Sequence, residues 1–133
     1  KMPQARLMQP IVLGSTEFSA RSTGSSALFT TDPTSFLPLY LIIYLRGVTG
    51  FVSVPTISIG SNATTYNNLV PATAMTGLDA VGEYFRIPFG TSLANGVFRG
   101  LGATTAVTLG YNVTVAASAT TYNIEVYVAG VYV

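Results

Sequence analysis

Near the end of the chain, Val107, Leu109, Tyr111, Val113 and Val115 alternate with Thr108, Gly110, Asn112 and Thr114. Successive side chains of an extended backbone point to opposite faces, so this alternation predicts a strand with one buried and one polar face. A second run places Tyr122, Ile124, Val126 and Val128 opposite Asn123, Glu125 and Tyr127, and the two runs read as an antiparallel pair. Leu39 to Leu45 differs in being apolar without interruption. It is expected to form a fully buried central strand, with Tyr40 and Tyr44 in the core and their hydroxyls reaching an edge.

The other elements are shorter. Ile11 to Leu13 opens a first strand, and within the Ser, Thr and Gly-rich stretch Gly14 to Ser26 the apolar Phe18 and Ala20 suggest partial pairing. Ala27 to Thr30 reads as a short strand stopped by Thr31-Asp32-Pro33-Thr34, where Asp before Pro supplies turn chemistry. After Gly47 and Gly50, Ser53 to Ile59 interleaves Val54, Ile57 and Ile59 with Ser53, Thr56 and Ser58, up to a turn at Gly60-Ser61-Asn62. Tyr66 to Met75 and Glu83 to Phe89 carry weaker strands, which Pro71 and Pro88 confine to sheet edges or bulges.

Ser92 to Gly102 lacks periodicity and reads as a long loop, and Lys1 to Pro10 reads as an extended arm ahead of a single domain over residues 11–133. No stretch supports an amphipathic helix of three turns. The expected fold is all-β: an antiparallel β-sandwich of about seven or eight strands with jelly-roll or immunoglobulin-like topology.

Composition narrows the function. Charged residues are 8% of the chain, against roughly 25% in an ordinary soluble domain, and the net charge is +1. A surface of hydroxyls, amides and small apolar groups can approach its own copies without stranding buried charge. The basic residues Lys1, Arg6, Arg21, Arg46, Arg86 and Arg99 are scattered, which argues against nucleic acid as a partner. Mean hydropathy is +0.50, yet the most apolar stretch, Phe36 to Leu45, contains Pro38 and stops at Arg46, well short of the ~20 residues of a spanning helix. No membrane partner is expected, nor an intact signal peptide in KMPQARLMQPIVLG, whose apolar run is too short.

The groups that carry most protein chemistry are missing. There is no Cys and no His, hence no thiolate ligand, no imidazole ligand and no histidine base. The carboxylates Glu17, Asp32, Asp79, Glu83 and Glu125 are dispersed; Asp79 and Glu83 are close, but across a turn rather than on facing strands as in a glycosidase pair. Calcium would need an acidic loop, which the chain lacks, so Asp79 reads as a solvated turn residue. Asn62-Ala63-Thr64 and Asn112-Val113-Thr114 match the glycosylation tripeptide, a frequent coincidence in a Thr-rich chain. Gly96 to Gly102 lacks the strand-to-helix context of a phosphate cradle. The expectation is therefore a protein without catalytic residues, cofactor or metal, in which Tyr127 and Tyr132 serve an intersubunit surface.

The pieces STEFSARSTGSS, LYLIIYLRGVTG followed by VPTISI, TTYNNLVPATAMTGLDAVGEYFRIPFG and VTVAASATTYNIEVYVAGV, together covering about residues 15–131, form a pattern that resembles small β-sandwich structural proteins of tailed bacteriophages, the capsid decoration or cement type. The resemblance implies a virion protein on the outer capsid surface that binds copies of itself and a major capsid or other virion protein. Its candidate contacts are Lys1, Arg6, Leu7 and Met8 on the arm, together with Tyr127 and Tyr132. Two alternatives are a receptor- or glycan-binding head of a fibre, with exposed Tyr and Asn in the Ser92–Gly102 loop as contacts, and an extracellular filament subunit whose arm donates a strand to the next copy.

Overall fold

Each predicted run becomes a strand, in the order β1 (Ile11–Ser19), β2 (Gly24–Thr31), β3 (Phe36–Thr49), β4 (Thr56–Gly60), β5 (Val70–Ala74), β6 (Tyr84–Pro88), β7 (Val107–Val115) and β8 (Thr121–Tyr132). The computed structural model describes residues 11–31, 36–88 and 107–132; the expected arm, with Lys1, Arg6, Leu7 and Met8, and the Ser92–Gly102 loop lie outside the described residues. Among the described residues no helix is long and apolar enough to cross a membrane.

Two antiparallel four-stranded sheets result: sheet A in the order β1-β8-β3-β6 and sheet B in the order β2-β7-β4-β5. The expected antiparallel β-sandwich is thus present. Its pairing has a simple rule: β1 pairs with β8, β2 with β7, β3 with β6 and β4 with β5. The chain runs as one long ribbon doubled back between β4 and β5. Rolling of that ribbon, which the right-handed twist of strands favours, adds the β3–β8 and β4–β7 pairings that complete each sheet.

One expectation is corrected here. β7 and β8 are not a hydrogen-bonded pair; they lie in different sheets and face each other across the core. Between them the chain is held to the β3–β4 connection by the Ser53–Ser118 bridge and by Val52 N–H donating to Ser118 C=O at 2.8 Å, and it crosses from one layer to the other. Alternation reports which face of a strand is buried, not which strand lies beside it.

The core forms where the inner faces meet. Tyr122, Ile124, Val126 and Val128 of β8 and Leu41, Ile43 and Leu45 of β3 have no solvent exposure, and they belong to one cluster with Ile57, Ile59, Leu109 and Val113 of sheet B. Truncating such a Leu or Ile to Ala costs about 2–5 kcal/mol. At the open edge between β1 and β2, Phe18 stacks on Tyr111 with ring centroids 3.6 Å apart, tying the sheets together. Pro71 and Pro88 lie on β5 and β6, both edge strands, as the missing N–H requires.

The apolar run on β3 is not buried on both sides. Leu41, Ile43 and Leu45 point inward, whereas Tyr40, Ile42 and Tyr44 are half-buried on the outer face of sheet A, so the expected core placement of Tyr40 and Tyr44 is also corrected. The two sheets differ on their outer faces. Sheet B is covered by the β4–β5 connection, whose buried Tyr66 sits against Gly110 and whose Thr65 carbonyl accepts from the Ser58 hydroxyl at 3.3 Å. Sheet A carries no such cover among the described residues.

Candidate functional site

Strand register assembles the outer face of sheet A. Tyr44 lies between Glu125 of β8 and Tyr84 of β6, and Glu125 in turn lies opposite Glu17 of β1. In the next row Ile42 lies between Tyr127 and Arg86, with Ser15 beyond Tyr127; in the row after that, Tyr40 lies between Ala129 and Pro88. Because side chains two residues apart share a face, these rows project together. They form an open groove of about 450 Å³ lined by four tyrosines (Tyr40, Tyr44, Tyr84 and Tyr127), two arginines (Arg46 and Arg86) and Ile42.

The side chains hold one another in place. Tyr44 stacks with Tyr84 (centroids 6.5 Å apart, planes 17° apart) and meets Tyr127 edge-on at 6.4 Å. The Arg46 guanidinium lies over the Tyr44 ring at 5.0 Å and that of Arg86 over the Tyr40 ring at 4.6 Å, both within cation–π range. Arg46 Nε also donates to Glu125 Oε1 at 2.9 Å, and its Nη2 donates to the Tyr127 hydroxyl at 3.0 Å, while that hydroxyl donates to Glu125 Oε1 at 3.1 Å.

Burial pushes the Glu125 carboxyl up, but hydrogen bonds from Arg46, Tyr127 and Ser15 outweigh it and hold the group below the usual carboxylate range. The Arg46 guanidinium is raised, first by its hydrogen bond to Glu125 and then by that residue's charge. Tyr127 is raised by burial and by its bond to Glu125. Glu125 is thus a fixed anion with its charge answered. Glu17 and Arg86, on the two edge strands of the same face, are exposed and form no ion pair among the described residues.

The other sequence candidates have structural work. Glu83 Oε1 accepts from the backbone N–H groups of Asp79 and Ala80, each at 2.8 Å, which closes the β5–β6 turn and lowers the Glu83 carboxyl. Asp79 enters through its backbone in this arrangement, and among the described residues no group of three or more His, Cys, Asp or Glu is placed to hold a metal ion. Asn62 is the hub of the β4–β5 connection: its Oδ1 accepts from the N–H groups of Asn67 (2.9 Å) and Asn68 (3.2 Å), and its Nδ2 donates to Asn67 Oδ1 (2.7 Å) and Thr65 Oγ1 (3.0 Å). Asn112 lies within β7, between Ser25 and Ser58.

Of the six contact residues expected from sequence, Tyr127 belongs to the tyrosine–arginine face. Tyr132 is the last residue of β8, pairing with Phe36, and the four arm residues lie outside the described residues. Sequence reasoning missed Tyr40, Tyr44, Arg46, Tyr84 and Arg86 as members of one face. A signal was present, since Arg46 has the parity of Tyr40 and Tyr44, and an arginine on one parity of a strand marks that side as the outer one. No protein family, no curated protein and no solved structure matches this chain.

Proposed function

We propose that this chain is a virion structural protein, a capsid decoration protein of jelly-roll type, which works by protein contact rather than by chemistry. The observation that carries the reading is the outer face of sheet A: tyrosines and arginines, partly desolvated and mutually braced, on a chain of otherwise sparse charge. Tyrosine and arginine dominate the energetic centres of protein interfaces, because each combines a large contact area with hydrogen-bonding capacity. The doubled-ribbon pairing of β1–β8, β2–β7, β3–β6 and β4–β5 supports the jelly-roll assignment over the immunoglobulin-like one, and jelly rolls recur in viral shells.

The same architecture also serves lectins, and a row of tyrosines is a possible sugar platform. Two ring faces, however, are already occupied, Tyr44 by Arg46 and Tyr40 by Arg86. A pyranose would have to displace a guanidinium to stack there, which favours a protein partner.

Electron microscopy of the particles that carry this chain tests the proposal. Density on the outside of an icosahedral shell is the expected result. Density at a fibre tip, together with binding of the free protein on a glycan array, would overturn it.

A further inference from the structure

We infer that the outer face of sheet A is covered by the same face of a second copy of this chain, in a two-fold dimer in which Glu17 of one copy meets Arg86 of the other. This rests on reading that face as an assembly surface. Three observations select a second copy as the occupant.

The first is charge. Glu17 lies on β1 and Arg86 on β6, the two opposite edges of sheet A, both exposed and on the outer face, and neither forms an ion pair among the described residues. Between them, the other charges of the face, Arg46 and Glu125, neutralise each other. A two-fold axis in the plane of the interface, running along the strands between β8 and β3, lays the β1 edge of one sheet over the β6 edge of its mate. Such an interface is isologous, so one complementary pair supplies two contacts. Glu17 and Arg86 are one strand row apart in register, Glu17 being in the row of Tyr84, a gap of about 7 Å that the long Arg86 side chain spans by leaving the Tyr40 ring as the dimer forms.

The second is the centre. The same axis lays Ile42 of one copy against Tyr127 of the other and Tyr44 against Glu125, so that tyrosines, Ile42 and the mutually neutralised Arg46–Glu125 pairs form the middle, with Glu17 and Arg86 at the rim. The third is size. Three strands of nine residues or more (β1, β8 and β3) with the five-residue β6 beside them, at about 4.8 Å spacing, give a flat face of roughly 500 Å², which the protruding Tyr and Arg side chains enlarge toward the ~800 Å² per partner of a standard interface.

Sedimentation velocity on the full chain tests the dimer. The expected result is a dimer that Glu17→Arg or Arg86→Glu weakens at least tenfold, with dimerisation restored in the double variant that carries both changes. A chain that is monomeric throughout the micromolar range, or single variants that dimerise as the parent does, would overturn the inference. The same variants, checked for folding by circular dichroism, are then scored for occupancy on particles. A monomer that still decorates shells would sink the dimer and leave the assembly function standing, whereas a charge-swap-sensitive dimer that never associates with particles supports the dimer and removes the virion role.

Discussion

The ring of Tyr66 closes directly onto the backbone of Gly110, so tightly that a β-carbon at position 110 would lie 2.5–2.6 Å from three ring carbons. Tyr66 reaches this position from a left-handed backbone conformation (φ 44°), uncommon for a bulky residue, and the residue is only 7% exposed. Glycine in the middle of β7 is otherwise a poor strand former. Its presence is explained by what lies on top of it. Gly110→Ala should therefore destabilise the protein by about 1–3 kcal/mol through overpacking, measured as a lowered urea midpoint with unchanged slope.

Tyr122 has no solvent exposure, and its hydroxyl donates to the Leu78 carbonyl at 2.5 Å. Burial, with the negative charges of Asp79 and Glu83 adding to it, holds the phenol well above its usual range. Tyr122→Phe leaves the ring in place and orphans the carbonyl. We expect a loss of about 1–3 kcal/mol by denaturant titration, together with faster amide exchange in residues 76–83.

Glu83 gives the β5–β6 turn a pH dependence whose sign follows from its hydrogen bonds. Its carboxyl is held below the unfolded value of 4.5, chiefly by the N–H groups of Asp79 and Ala80. The resulting stabilisation is present above the unfolded value and is lost as pH falls through the lower, folded one. Thermal melts from pH 6 to 3 should show a smaller acid-induced fall in Glu83→Gln than in the parent.

Glu125 faces Glu17 across the β1–β8 pair and is kept ionised by Arg46 and its other hydrogen-bond donors. Arg46→Met preserves the stem and removes the cation. The Glu125 carboxyl should then titrate at higher pH, because burial is opposed only by the hydrogen bonds from Tyr127 and Ser15. Carboxyl-carbon NMR titration reads this directly; an unchanged titration would show that Arg46 does not set the charge of this face.

Asn62 should carry no glycan even in a glycosylating host, because the Nδ2 that would be modified already donates to Asn67 and Thr65 inside the turn. Intact-mass measurement after secretion from such a host tests this. Asn62→Ala, which leaves the Asn67 and Asn68 N–H groups without their acceptor, should cost about 1 kcal/mol or more.

Much of the fold was legible along the chain. The alternation in 122–128 named the buried members of β8, and Pro71 and Pro88 narrowed β5 and β6 to edges or bulges, of which the structure shows edges. The candidate site was less legible. Within Leu39 to Leu45 every residue is apolar or aromatic, so that only Arg46 just beyond it hints at the outer face, and Tyr84 and Arg86 sit in a short strand whose partners lie forty or more positions earlier in the chain.

By itself, the sequence determined the elements and the kind of chemistry open to them. Local period and turn residues decide where strands run, and the absence of Cys and His leaves no thiolate or imidazole for any site, whatever the fold. Only the tertiary structure decided the neighbours. Which strands pair, and therefore that Tyr44, Tyr84, Tyr127, Arg46 and Arg86 share one surface, depends on how the doubled ribbon rolls, because pairing is chosen by the total burial of both sheets and leaves no mark on the local pattern of any single strand.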